Sequence, residues 1–141
     1  MNINVKRQSL LQFLLIVSII ATSIHYTDNF LFINSYPEPN WITPPSIYIS
    51  WIVMTTVGIV GYLLYGNRKY WLAYMCLAIY SLTGLSSLGH YLYGSMSQFS
   101  LRMHLFICTD GITGLAVLGF TLWSGLILRE WHTELNSVDQ E

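Results

Sequence analysis

Apolar residues in this chain gather into four long runs separated by short polar or proline-rich breaks. The first runs from Ser9 to about Tyr26 and the second from about Ser46 to Tyr65. The third runs from Tyr70 to about Tyr93 and the fourth from about Leu101 to Trp131. A helix crosses a hydrocarbon layer about 30 Å thick in about 20 residues, so each run is long enough to span a membrane. The pattern predicts an all-α integral membrane protein, an antiparallel four-helix bundle. It forms one domain over residues 1–141, with spans at about 9–26, 46–65, 70–93 and 101–131 and a polar tail at 132–141.

The breaks differ in kind. Gly66-Asn67-Arg68-Lys69 is a tight basic turn, and Gly94 to Ser100 is a short polar hairpin. Residues 27–45 contain Pro37, Pro39, Pro44 and Pro45, which cannot occupy a helix interior. The same stretch carries Phe30, Leu31, Phe32, Ile33 and Trp41, too apolar for a free linker. An ordered Pro-rich loop is expected, with a short interfacial helix at 28–34 and a rigid lid element from Tyr36 to Trp41. The basic start at Lys6 and Arg7, with Ala21-Thr22-Ser23 further on, would also suit a cleaved secretory signal. The apolar run continues to His25 without a break, which favours a retained first span.

Charge supplies the orientation. Lys6, Arg7, Arg68, Lys69 and Arg129 fall on one side and Arg102 alone on the other. Basic residues concentrate on the cytoplasmic side. Both termini are thus expected in the cytoplasm, with the 27–45 loop and the 94–100 hairpin extracytoplasmic. Only 9% of the 141 residues are charged and 53% are hydrophobic, against about 25% charge in a soluble domain. The net charge of −1 offers nothing to nucleic acid. Cys76 and Cys108 are isolated within apolar runs, as small packing residues rather than a redox pair.

Polar residues inside the runs are where chemistry is expected, because ionisable groups at membrane depth are costly and turn toward the bundle interior. Ser18, Thr22, His25 and Asp28 share one stripe of the first helix, and Cys76, Tyr80, Thr83, Ser87 and His90 share one of the third. His104, Cys108 and Gly111 share a face of the fourth, with Asp110 on a different azimuth. His90 and His104 lie seven residues either side of Ser97, and therefore at equal depth in a straight antiparallel hairpin. His25 closes the first run at a similar depth, roughly 27 Å above Arg7 at 1.5 Å per residue.

Three imidazoles and a carboxylate have the ligand types for a transition metal, copper, zinc or iron. The expected metal ligands are His25, His90, His104 and Asp28. Asp110 and Asp28 are the expected proton-moving groups of any catalysis, while the enzyme class stays open. A b-type haem between His90 and His104 is the weaker variant, because adjacent hairpin helices bring imidazoles close together. Two further readings stand beside the metal. One is a binding protein for a lipid, sterol or quinone, its pocket lined by the aromatic stripe of the second span and by Gly-rich faces, and sensitive to Trp51, Tyr62 or Tyr80. The other is a non-catalytic subunit of a homo-oligomer or larger membrane complex, in contact with membrane lipids. Glu130, His132 and Glu134 read as a solvated helix end.

Overall fold

A computed structural model describes residues 3–132. The polar tail expected at 132–141, Glu134 included, lies outside the described residues except for His132. The chain is all-helical, with no strand among the described residues. Helix α1 covers Ile3–Leu31, α2 Pro44–Gly66, α3 Tyr70–Ser87 and α4 Leu101–Leu122. All four are long and apolar enough to cross a membrane, with mean hydropathies between 1.4 and 1.9 over their most apolar stretches.

The helices form a ring in chain order. α1 packs on α2 and α4, and α3 packs on α2 and α4, while α1 and α3 barely meet. Leu11, Leu15, Tyr65, Leu77, Tyr80 and Val117 meet at the centre. The outer faces carry apolar side chains such as Phe13, Ile20, Ile52 and Ile112. Such a surface is stable against lipid tails and costly in water.

Local chemistry sets the helix limits. Pro44 and Pro45 open α2, where a missing N–H costs nothing. Just before them the Thr43 N–H donates to Ser46 Oγ at 3.0 Å. Ser100 caps α4, accepting from the Met103 N–H at 3.3 Å. α1 runs to Leu31, past the expected end near Tyr26, so the expected interfacial helix at 28–34 is instead the last turn of α1. A single 3-10 turn, Ile33–Ser35, follows it. α3 tightens into a 3-10 segment over Leu88–Leu92.

Two close approaches shape the interior. A Cβ at Gly84 would overlap the Asp110 carbonyl oxygen, so α3 and α4 touch backbone to backbone there. A Cβ at Gly58 would come within 2.7 Å of the Tyr80 ring, which pins the C-terminal half of α2 to α3. Nearer the Pro-rich connection the close approach is at Gly94, where a Cβ would come within 2.5 Å of the Pro37 ring. There the end of α1, the first turns of α2, the end of α3 and the connection itself line a partly open cavity.

At the opposite end, α4 passes through a π-turn at Trp123–Ile127 and reverses at Arg129, whose φ of 50° is left-handed. The reversal folds Glu130 back under the bundle, where it is only 6% exposed. Its carboxylate accepts from Arg7 Nη1 at 2.7 Å, from the Tyr65 hydroxyl at 2.6 Å and from the Ser124 hydroxyl. Tyr74 joins through Ser124 at 2.9 Å. The solvated helix end expected around Glu130 is thus, at Glu130, a buried knot joining all four helices. Helical spacing could not show a carboxylate brought back by a left-handed residue.

Candidate functional site

Every member of the stripe on α1 faces inward: Ser18, Thr22, His25 and Asp28 are all buried. Tyr80, Thr83 and Ser87 on α3 are buried likewise. Near the connection the two helices bring His25 and His90 together, their ring centroids 5.4 Å apart. The third ring of the group is not His104. It is Tyr36, buried in the connection, at 6.0 Å from His25 and 5.1 Å from His90.

His104 makes its contacts elsewhere. Its Nδ1 lies 2.8 Å from the Tyr91 hydroxyl and its Nε2 lies 3.2 Å from the Met96 carbonyl oxygen. Its ring packs on Tyr91 and Phe99. Equal depth therefore did not become contact. From Leu88 the chain turns about 120° per residue instead of 100°, so His90 drifts roughly 60° from the stripe of straight α-helix. That rotation favours α1 for His90 and leaves Tyr91 facing α4. On α4 the buried face carries Met103, Ile107, Asp110, Gly111 and Gly114, while Cys108 is exposed.

Asp28 is held by the fold. It accepts from the Tyr36 hydroxyl at 2.7 Å and pairs with Arg102 Nε at 3.3 Å. The Arg102 guanidinium lies 4.0 Å over the Phe32 ring. Arg102 and Asp28 thereby staple the connection across α1 and α4. Burial, and then donation to Asp28, hold the Tyr36 phenol above its ordinary pKa, so it stays a neutral donor.

The donor set expected for copper, zinc or iron does not fit an ion. Among the described residues, no three of His, Cys, Asp and Glu converge closely enough to hold one. Asp28 and His104 have already committed their polar atoms. The bis-histidine haem of the weaker variant needs its iron and ring plane between two axial imidazoles. The 5.4 Å separation of the tilted His25 and His90 rings leaves no such gap, and His90 and His104 do not face each other.

Two residues near the histidines were weaker candidates in the sequence, or none at all. Glu38 reaches down from the connection, and its Oε1 lies 3.6 Å from His90 Nδ1. Asn29 Nδ2 donates to that same Oε1 and lies 3.4 Å from His90 Nε2. Asn29 carried no signal beyond its place one residue after Asp28. Glu38 was legible as an acid of the Pro-rich loop able to reach the histidines, with nothing in the sequence requiring it. Burial raises the Glu38 carboxyl above its ordinary pKa, and the bond from Asn29 opposes that shift in part.

These groups form one end of a cavity of about 540 Å³, within the range of small-molecule sites. Its remaining walls are largely apolar, including Trp41, Ile47, Met54, Leu82 and Leu92. Seven buried side-chain polar atoms lack a hydrogen-bond partner among the described residues: His25 Nδ1, Asn29 Oδ1, Glu38 Oε2, Thr55 Oγ1, Thr83 Oγ1 and both Asp110 carboxyl oxygens. Four of the seven belong to residues lining this one cavity. Native interiors rarely leave such atoms unpaired, so a cluster of them marks a place built for another molecule or for ordered water.

Asp110 sits apart from the cavity wall. It is fully buried and neither carboxyl oxygen is paired, with Tyr26 and Tyr80 in electrostatic reach. Tyr26 also lines the cavity. Comparison with protein-family models, with curated proteins and with solved structures finds no match to this chain.

Proposed function

We propose that this chain binds an amphipathic, largely apolar small molecule of the lipid, sterol or quinone class inside the membrane. The four spans then alternate through the bilayer as an antiparallel bundle, with both termini cytoplasmic. The Pro-rich loop closes the cavity from the outer side. One observation carries the reading: a cavity of about 540 Å³ combines apolar walls with a single cluster of buried, unpartnered polar atoms. A ligand matched to it would bury an apolar body against Met54, Ile47 and Leu82 and place one polar end among His25, Asn29, Glu38 and His90. Burial of the body supplies affinity, and the polar end fixes orientation. Asp28 and Arg102 hold the lid, so in this reading Asp28 is a positioning residue rather than a metal ligand or a catalyst.

The test is organic extraction and mass spectrometry of protein purified into nanodiscs, wild type beside Met54→Trp. Half-buried Met54 lines the cavity, and the larger indole would fill it. The expected result is a discrete apolar compound enriched with the wild type and missing from the folded variant. Equal bulk-lipid profiles from both proteins would overturn the reading.

A further inference from the structure

The polar end of the cavity also restricts what the ligand's head group can be. Resting on the ligand-binding reading above, we propose that the ligand carries a hydrogen-bond donor head, a hydroxyl or an ammonium, and not an acid.

The unpartnered atoms carry the argument. Asn29 Oδ1 is an acceptor only, and Glu38 Oε2 is an acceptor whenever its carboxyl is ionised. His25 Nδ1 and Thr83 Oγ1 can act in either sense. Asn29 has turned its donating nitrogen onto Glu38 Oε1 and toward His90, so its oxygen is what remains free. His90 is itself engaged by Asn29 and lies 3.6 Å from Glu38 Oε1. His25 is 2% exposed, Asn29 6% and Thr83 2%, and the Glu38 side chain is 6% exposed. Their free atoms are therefore shielded from bulk water.

The charge balance points the same way. No Lys or Arg lines the cavity. Arg102, the nearest cation of the connection, is spent on Asp28 and Phe32. A carboxylate or phosphate head would meet the Glu38 carboxyl with no counter-charge and leave two acceptors facing an acceptor. A hydroxyl can donate to Asn29 or Glu38 and accept from Thr83 or His25. An ammonium can donate to both acceptors and add a charge-assisted bond to Glu38. Both heads share the donor chemistry, and the same experiment separates them.

The probes are four octadecyl chains brominated at carbons 9 and 10, differing only in the head: amine, alcohol, methyl ether and carboxylate. Each is titrated into protein held in phosphatidylcholine nanodiscs, and quenching of tryptophan fluorescence is read. Trp41→Phe identifies the part that arises at the cavity wall. Amine or alcohol is expected to quench saturably at concentrations about tenfold below the ether and the acid, as hydrogen bonds to buried polar groups imply. A preference for amine over alcohol that disappears in Glu38→Gln assigns the ammonium. Equal or better binding of the alcohol, retained in Glu38→Gln, assigns the hydroxyl. Four equal affinities, or an acid that binds best, would overturn the donor-head inference while the apolar cavity stands. No saturable quenching by any probe would overturn the ligand-binding reading with it.

Discussion

The two ends of this bundle each bury a glutamate, and they treat it in opposite ways. Glu130 is met from every side: Arg7 from α1, Tyr65 from α2 and Ser124 from α4 donate to it, and Tyr74 of α3 supports Ser124. Glu38 is met on one oxygen only, by Asn29 and His90, while the other faces a cavity. A buried carboxylate with its lone pairs filled binds helices together. One left half-filled raises the energy of the empty state and waits for a donor. One arrangement fills the acceptor's lone pairs; the other leaves Glu38 Oε2 open toward the cavity, where we propose a ligand binds.

The sharpest way to break that comparison is to remove the acid at the closed end. Glu130→Ala leaves Arg7, Tyr65 and Ser124 without their acceptor, and a cost of about 3 kcal/mol is expected. It should appear as a lower unfolding temperature in nanodiscs. An unchanged melt would mean the knot at Glu130 contributes no more than the open end does.

The corresponding change at the open end should be much smaller and should depend on pH. The Glu38 carboxyl holds its proton to higher pH in the folded protein than its ordinary value of 4.5 allows. The folded state therefore binds more protons, and its stability falls as pH climbs from about 4.5 through the raised value. Acidification restores it. Glu38→Gln should remove this slope, and it should leave the ligand-free protein no less stable than wild type at pH 8. Comparing the two proteins at each pH separates the carboxyl from His90, His25 and Tyr36, which face it. A slope of equal size in Glu38→Gln would assign the effect to the imidazoles.

The smallest effect is expected at the histidine that left the group. His104→Ala loses its contacts to Tyr91 and Met96, costing about 0.5 kcal/mol, and probe quenching should not change. His90→Ala in the same assay should weaken the preferred probe. Equal weakening by both would return His104 to the site.

Much of the architecture was legible in the order of residues. The four apolar helices and the inward stripes on α1 and α3 follow from helical periodicity and from the cost of polar groups among lipid tails. Periodicity fixes an azimuth on one straight helix. It carries no information once the helix changes pitch, as at Leu88–Leu92, and that change parted His90 from His104.

What the chain alone determined was thus the number of helices, their apolar surface and the polar face each would hide. Tertiary structure decided the ring order of the helices and the burial of Glu130 by a left-handed turn at Arg129. It also decided that Tyr36, Asn29 and Glu38, rather than His104, complete the group around His25 and His90. The physical reason is range. Helix formation and membrane partitioning depend on neighbours within a turn or two, while a site depends on side chains brought together from distant segments by packing that no single segment encodes.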